Sequence, residues 1–183
     1  MKNMKNTLKE KIKKIKLIVS DVDGVLTEGK IYLLGREELK VFWAKDATPI
    51  EMAGRTGLRL MLLTGRKSTA IEKRAEELAV PLLYKQDLKV SGKTLSGYAK
   101  ENFGVDTTEI LYIGDDWSDL FFMKQVGIAA APADASPENK EIADLITKAP
   151  GGQGVLREII EAIMRAQNTW NKQLQVYKDN ISP

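Results

Sequence analysis

The chain has 183 residues, of which 43% are hydrophobic and 29% are charged, a composition typical of one soluble globular domain. It contains no cysteine and no histidine. Disulfides, thiolate or imidazole metal ligands, cysteine nucleophiles and serine–histidine hydrolase chemistry are therefore excluded. Any metal site must be lined by oxygen atoms, which suits Mg²⁺.

The charge is unevenly distributed along the chain. The formal net charge is +3, and residues 1–16 contain seven lysines against one glutamate. This pattern favours a solvated lysine face on a terminal helix over a nucleic-acid interface, which would need basic residues along the fold itself. No apolar run is long enough to cross a membrane and no signal peptide is recognisable, so we expect a cytoplasmic protein that binds neither nucleic acid nor membrane.

The first elements are predicted from hydrophobic spacing. Apolar residues recur every three or four positions over 1–14, which predicts an N-terminal helix packed on the domain. Residues 16–20 are a short apolar run that predicts a buried strand ending at Asp21. Residues 30–43 consist of two strand-like halves on either side of Gly35, which predicts a β-hairpin.

Strand-like and helix-like segments then alternate to about residue 168. The predicted strands cover 58–63, 81–84, 110–113 and 128–131, and the predicted helices cover 47–56, 68–79, 91–102 and 117–126, with a last helix after the glycine loop at 151–154. This alternation predicts an α/β fold with a doubly wound parallel sheet, in a single domain with a C-terminal tail over 169–183. In such a sheet, ligands bind beyond the carboxyl ends of the strands.

The segment DVDGVLT at 21–27 carries two carboxylates directly after the first strand. Asp21, held at a strand tip, could attack phosphorus in line and form an acyl phosphate. Asp23 could protonate the leaving oxygen and later deprotonate the attacking water. Repulsion between the two carboxylates leads us to expect a dication beside them. Taken alone, the segment also fits a glycine turn that carries aspartates.

Two further strand ends carry polar groups, and a lysine lies between them. Thr64 is followed by Gly65, and this hydroxyl with a free backbone N–H suits a phosphoryl oxygen. Lys89 could bind phosphate and offset the charge of the nucleophile. The segment GDDWSD at 114–119 places three aspartates, the first of them Asp115, after the third strand, which suits a hard cation. Singly, each also fits an ordinary turn, helix cap or solvated surface residue.

In this order and at these strand ends, DVDGV, LLTGR, Lys89 and GDDWSD resemble the four motifs of the haloacid dehalogenase superfamily. The resemblance implies that Asp21 is the nucleophile and Asp23 the acid/base, and that Thr64 and Lys89 bind phosphate. It also implies a Mg²⁺ site formed by Asp21, Asp23 (through its carbonyl) and Asp115. Asp116 and Asp119 would support this site.

The chain has no room for a cap domain after the first motif or between the second and third. It is similar to a capless branch of the superfamily that acts on phosphorylated sugar acids, with a hairpin after the first motif and the segment GGQGVLREI near the end. That likeness implies a substrate site formed by Phe42, Trp43, Ala44, Lys45, Asp46, Arg66, Arg74 and Lys89, partly from adjoining subunits. Residues 47–49 and Gln153 depart from the branch's pattern, while Arg66 favours an eight-carbon over a nine-carbon sugar acid.

The hairpin is rich in apolar residues, which leads us to expect a homotetramer with shared active sites. A hairpin folded back on its own domain is the alternative. The tail after 168 could then reach a neighbouring subunit as a lid. Two other functions stay open at this point: a non-catalytic regulatory or oligomerisation domain of the same fold, and a phosphotransferase.

Overall fold

The computed structural model describes residues 2–35 and 37–179. The strands in these residues are β1 (Leu17–Ser20), β2 (Tyr32–Leu34), β3 (Glu37–Leu39), β4 (Arg59–Thr64), β5 (Leu82–Tyr84), β6 (Ile110–Ile113), β7 (Ile128–Ala131) and β8 (Leu145–Ile146). The helices are α1 (Lys2–Lys13), α2 (Ala47–Gly54), α3 (Thr69–Glu77), α4 (Lys85–Ser91), α5 (Leu95–Phe103), α6 (Leu120–Met123), α7 (Pro137–Ile142), α8 (Val155–Ala166) and α9 (Trp170–Asp179).

Six of the strands form one parallel sheet in the order β5-β4-β1-β6-β7-β8. The central strand β1 is completely buried, and so is β6 beside it. Strands covered on both faces read as continuous apolar runs, which is why 17–20 and 110–113 lack alternation. The predicted doubly wound α/β fold is confirmed. Because parallel strands share a direction, the residues that follow β1, β4 and β6 meet at one edge.

Two apolar clusters cover the faces of the sheet. One cluster joins α2 and α8 to the sheet through residues such as Ile50, Ile160 and Ile163. The other joins α5 and α6 to the opposite face, with Leu95, Ala99 and Phe122 among its members. The strands between them are therefore held rigidly, and their carboxyl ends can fix side chains with little freedom.

The hairpin of β2 and β3 is a separate antiparallel sheet in which Tyr32 pairs with Leu39. The predicted hairpin insertion is therefore confirmed, and the described parts of the chain contain no cap domain. The side chains of Leu33 and Leu34 are 77% and 71% exposed. The hairpin does not fold its apolar side onto its own domain.

Some boundaries differ from the prediction. The helix expected over 91–102 begins only at Leu95, as α5, where Thr94 caps it by accepting a hydrogen bond from the Gly97 N–H at 3.0 Å. A separate helix that was not predicted, α4, precedes it and is terminated by Gly92, which has φ +67°. The helix expected over 117–126 is a 3₁₀ turn followed by the short α6.

The tail also has a defined place as far as residue 179. The helix α9 packs on α8, with Trp170 only 5% exposed, and the Tyr177 hydroxyl donates to Glu51. This part of the expected lid lies on its own domain, and the final residues lie outside the described range. Among the described helices, none is both long and apolar enough to cross a bilayer.

Candidate active site

A cleft of about 680 Å³ opens at the carboxyl ends of β1, β4 and β6. It is lined by charged and polar groups: Asp21, Asp23, Gly29, Thr64, Gly65, Arg66, Lys67, Lys85, Asp115, Asp116 and Ser118. The structure thus brings together five of the predicted catalytic, metal and substrate residues, Asp21, Asp23, Thr64, Arg66 and Asp115.

Asp21 is anchored where β1 ends. Its backbone N–H donates to the Ile113 carbonyl at 3.0 Å, continuing the pairing with β6, and the residue is only 7% exposed. The Lys85 ammonium lies 3.3 Å from its Oδ2. Burial raises the pKa of Asp21 to about 8, the Asp119 charge adds to the rise, and Lys85 opposes it. The carboxylate is therefore held in place, and a further positive charge beside it would stabilise its ionised form.

Asp115 packs directly against the turn that follows Asp21. A Cβ built on Gly24 would be 1.9 Å from Oδ2 of Asp115, and Gly24 has φ +86°. Only glycine fits this position, because any side chain would displace the carboxylate and strain the backbone. Burial raises the pKa of Asp115 to about 7, with a further contribution from the Asp119 charge.

The donor set fits a magnesium ion. Oxygen atoms of Asp21, Asp115 and Asp119 lie within 4.8 Å of one another, and Oδ1 of Asp115 is buried with no hydrogen-bond partner. A buried carboxylate oxygen without a donor is a natural cation ligand. A dication here would offset both the burial and the repulsion from Asp119 that raise the pKa values of Asp21 and Asp115.

Asp119 is a support for the site, since both of its oxygens already accept hydrogen bonds. Its Oδ1 accepts from the Tyr112 hydroxyl at 2.7 Å and from Lys85 at 2.8 Å, and its Oδ2 accepts from the backbone N–H of Asp115 at 3.1 Å. The Cβ of Asp119 lies so close to Gly114 that a side chain there would contact it at 2.3 Å. Asp119 therefore orients Lys85 and the loop that carries Asp115.

Thr64 ends β4 and is almost fully buried, at 1% exposure. Its Oγ1 accepts from the Arg66 N–H at 3.2 Å, so the turn after the strand is closed by this hydroxyl. The next residue, Gly65, also lines the cleft, and its carbonyl accepts from Gln86 at 2.6 Å. Thr64 and Asp21 line the same cleft, and the Thr64 hydroxyl is a donor suited to a phosphoryl oxygen.

The sequence predicts that Lys89 binds phosphate and offsets the charge of the nucleophile, but in the structure Lys85 is the lysine that contacts Asp21. Helix α4 begins at Lys85, immediately after β5, so this residue stands at the strand tip. Lys89 lies one turn later, exposed and outside the cleft. The strand-end reasoning that located Asp21, Thr64 and Asp115 would have selected Lys85 if it had also been applied to β5.

The other predicted substrate residues do not line this cleft. The Arg74 guanidinium lies 5.7 Å from the Phe42 ring and 3.4 Å from the Trp43 carbonyl. Asp46 is buried and accepts from the Arg157 N–H at 3.0 Å. These contacts, with exposed Ala44 and Lys45, make Phe42, Trp43, Ala44, Lys45, Asp46 and Arg74 a separate cluster within one chain.

The glycine loop at 151–154 packs against the backbone of the first motif. A Cβ on Gly151 would lie 2.2 Å from the Gly24 carbonyl oxygen, and a Cβ on Gly152 would lie 2.6 Å from the Glu28 nitrogen. The Gly151 N–H donates to Asp134 at 2.8 Å. Glycine is needed because two backbone segments meet without space for side chains. The glycine loop is evident in the sequence, but its contact with the first motif is seen only in the folded structure.

The fold and the strand-end carboxylates define a class of protein, the haloacid dehalogenase-like hydrolases, and residues 92–159 match the family model for that class. The chain is 35% identical over 159 residues to the 3-deoxy-D-manno-octulosonate 8-phosphate phosphatase KdsC of Escherichia coli K12, covering 86% of this chain and 83% of that protein.

Solved structures agree. A 3-deoxy-D-manno-octulosonate 8-phosphate phosphatase from Moraxella catarrhalis, in complex with a magnesium ion, a phosphate ion and a KDO molecule, has a TM-score of 0.86 and 32% identity over 94% of this chain and 98% of that one. The phosphatase of the same name from Yersinia pestis has a TM-score of 0.82 and 32% identity, covering 89% and 88%. The chain therefore belongs to the haloacid dehalogenase-like hydrolase family and, within it, to the group of the KdsC phosphatases.

Proposed function

We propose that this protein is a Mg²⁺-dependent phosphatase that hydrolyses 3-deoxy-D-manno-octulosonate 8-phosphate to the sugar acid and phosphate. The observation that carries the proposal is the juxtaposition of Asp21, Lys85 and Asp115 in one cleft at the strand ends. The similarity to KdsC phosphatases over most of the chain supports this choice of substrate.

The first chemical step is assigned to two carboxylates. A carboxylate oxygen of Asp21 attacks phosphorus and forms an aspartyl phosphate while the bond from phosphorus to the sugar oxygen breaks. Asp23 gives its proton to that oxygen. Lys85 and the Thr64 hydroxyl face the phosphoryl oxygens and stabilise the charge that they carry in the transition state.

The second step regenerates the enzyme. Asp23, now deprotonated, takes a proton from water, and the water oxygen bonds to phosphorus as the bond to Asp21 breaks. Phosphate leaves the cleft. The carboxylates of Asp21 and Asp115, with the main-chain carbonyl of Asp23, would hold Mg²⁺, which supplies positive charge to the phosphoryl group.

The proposed substrate preference is based on the cationic residues that line the cleft. Arg66 and Lys67 line it, and the Arg66 side chain is 46% exposed. A guanidinium is well suited to a sugar-acid carboxylate because it can donate two parallel hydrogen bonds. A cleft with these cations is expected to favour an acidic eight-carbon sugar phosphate over neutral sugar phosphates.

A substrate panel tests the proposal. Phosphate release is measured with Mg²⁺ for 3-deoxy-D-manno-octulosonate 8-phosphate, nine-carbon sugar acid 9-phosphates, glucose 6-phosphate and p-nitrophenyl phosphate. We expect the highest kcat/KM for the eight-carbon acid, and Arg66→Met should reduce that value while changing p-nitrophenyl phosphate turnover little. A preference for a nine-carbon acid would overturn the substrate assignment, and no release from any member would overturn the function.

A homotetramer with shared sites is proposed from the exposed hairpin. Leu33, Leu34 and Val41 are 77%, 71% and 65% exposed, and such a cluster is typical of an interface. Trp43, Ala44 and Lys45, which are exposed at the base of the hairpin, would then face the cleft of a neighbouring subunit. A cytoplasmic location would suit such an assembly, and cell fractionation tests it.

Light scattering tests the assembly. Leu33→Lys with Leu34→Lys should give a smaller particle with reduced activity, whereas Ile146→Lys, at a residue that is 52% exposed on β8, should not. A fully active wild-type monomer would rule out shared sites.

A further inference from the structure

Lys40 carries a buried charge that the reaction above does not use. Its side chain is 0% exposed, and its Nζ contacts Oδ1 of Asp23. The same Nζ lies 2.6 Å from Oε1 of Glu38. An ammonium group withdrawn from water is stable only where carboxylates replace its lost hydration. These two carboxylates surround Lys40, so its position and that of Asp23 are fixed together.

Arg66 closes the network on the side of the cleft. Its Nε lies 3.6 Å from Oδ2 of Asp23, and its Nη1 lies 3.6 Å from Oε2 of Glu38. Two cations thus face the carboxyl groups of Asp23 and Glu38. Arg66 is 46% exposed, whereas Lys40 is enclosed, so Lys40 is the fixed member.

The two oxygens of Asp23 are therefore not equivalent. Oδ1 is held by Lys40, and its only other described contact is a donation from Thr27 at 3.5 Å. Oδ2 lies on the side of Arg66, which lines the cleft. A general acid must keep its proton-bearing oxygen within hydrogen-bond reach of the leaving group. A carboxylate that is free to rotate would meet this requirement for only part of the time.

We propose that Lys40 is a positioning residue: by holding Oδ1 of Asp23, it presents Oδ2 to the oxygen of the departing sugar. This inference rests on the proposed phosphatase function. Since Lys40 and Glu38 belong to the hairpin segment, docking of that segment sets the geometry of the acid/base. The hairpin then contributes to proton transfer in the active site of its own chain, and this role does not depend on the assembly of subunits.

The test uses the acidity of the leaving group. A sugar alkoxide needs a proton from Asp23 in order to leave, whereas p-nitrophenolate leaves without one. The value of kcat/KM reports the steps up to cleavage of the ester bond. Lys40→Met should therefore lower kcat/KM for 3-deoxy-D-manno-octulosonate 8-phosphate by roughly 10- to 100-fold. The value for p-nitrophenyl phosphate should fall by less than about threefold, because that step needs little acid catalysis.

Two controls separate positioning from damage to the fold. Lys40→Arg, which keeps a charged donor, should restore most of the lost sugar-phosphate activity. Lys100→Met removes a lysine that is 61% exposed and paired with Asp106, and should leave both substrates unchanged. Circular dichroism and light scattering should show the wild-type fold and assembly in each variant. If Lys40→Met does not fold, Lys40→Gln is judged by the same criterion.

Equal losses for the two substrates, or no loss for either, would overturn the role of Lys40 while leaving the proposed function intact. An inactive wild-type protein would instead overturn the proposed function. A selective loss for the sugar phosphate supports the positioning role, because general damage to the site would affect both substrates.

Discussion

Asp115 occupies the space that a side chain on Gly24 would fill, with its Oδ2 at 1.9 Å from the position of a Cβ on that glycine. The proposed nucleophile and this proposed metal ligand belong to segments more than 90 residues apart in sequence, yet the close approach joins them in one site. The tight turn after Asp21 is therefore part of the metal site as well as part of the first motif.

Gly24→Ala is predicted to weaken the response to Mg²⁺. The added methyl group would displace the Asp115 carboxylate, and φ +86° would strain the backbone. A misplacement of about 1 Å can cost about 100-fold in rate. Activity should fall by a comparable factor, and half-maximal activation should need more Mg²⁺. Gly54→Ala, where nothing lies within 4 Å of the added Cβ, is the control and should titrate like the wild type.

Removal of metal is predicted to abolish turnover. EDTA should eliminate activity and Mg²⁺ should restore it, since repulsion among the buried carboxylates of Asp21, Asp115 and Asp119 needs a dication. Ca²⁺ should fail to support turnover because its longer, more variable coordination disturbs an in-line geometry. Phosphate release is the measurement, and undiminished activity in EDTA would contradict the site described above.

Lys85 and Lys89 are predicted to differ sharply. Lys85 lies 3.3 Å from Asp21 and 2.8 Å from Asp119, so Lys85→Met should lower kcat by roughly 100- to 1,000-fold through lost charge stabilisation. Lys89 is exposed and outside the cleft, so Lys89→Met should retain nearly full activity. Steady-state kinetics of both variants decide the assignment, and the reverse order of losses would restore Lys89 as the third motif.

The folded state is predicted to lose stability as pH rises through the pKa of Asp46. Burial raises that pKa to about 6, although the Arg157 N–H and the charges of Arg74 and Arg157 oppose the rise. The raised pKa means that the folded state binds more protons than the unfolded state between about pH 4 and 6, so the stabilisation is complete below this range. It is lost above the folded pKa.

Asp46→Asn removes this titration and keeps an oxygen for the Arg157 N–H. Its stability relative to the wild type should therefore increase by roughly 1–3 kcal/mol between pH 4 and pH 7. Urea unfolding at a series of pH values measures the difference. A difference that stays constant with pH would show that folding does not raise the pKa of Asp46.

The sequence predicts the sheet well because the buried strands are continuous apolar runs that end at polar residues. Asp21, Thr64 and Asp115 could be found in this way, since each lies at or within two residues of the end of such a run. Lys85 was missed because α4 starts immediately after β5 and shows no clear apolar face, with Val90 87% exposed.

The contacts of Lys40 could also not be predicted from the local sequence pattern. In a hairpin of alternating residues, a lysine is expected to point to solvent, but Lys40 is enclosed by Asp23 from an earlier segment and by Glu38 from β3, the strand that Lys40 follows. Likewise, Asp46 meets the backbone of Arg157, 111 residues away. These contacts arise only once the sheet has brought distant segments together.

The central claim is that the phosphoryl group is transferred to Asp21, and trapping of the phosphoenzyme tests this claim most directly. In Asp23→Asn, p-nitrophenyl phosphate should still phosphorylate the protein because its leaving group needs no proton, while the missing base slows hydrolysis of the intermediate. After a rapid acid quench, mass spectrometry should find one phosphoryl group on the peptide that contains Asp21, and none in a variant that also carries Asp21→Asn. A phosphoryl group on another residue, or normal phosphate release by an Asp21→Asn protein, would contradict the account.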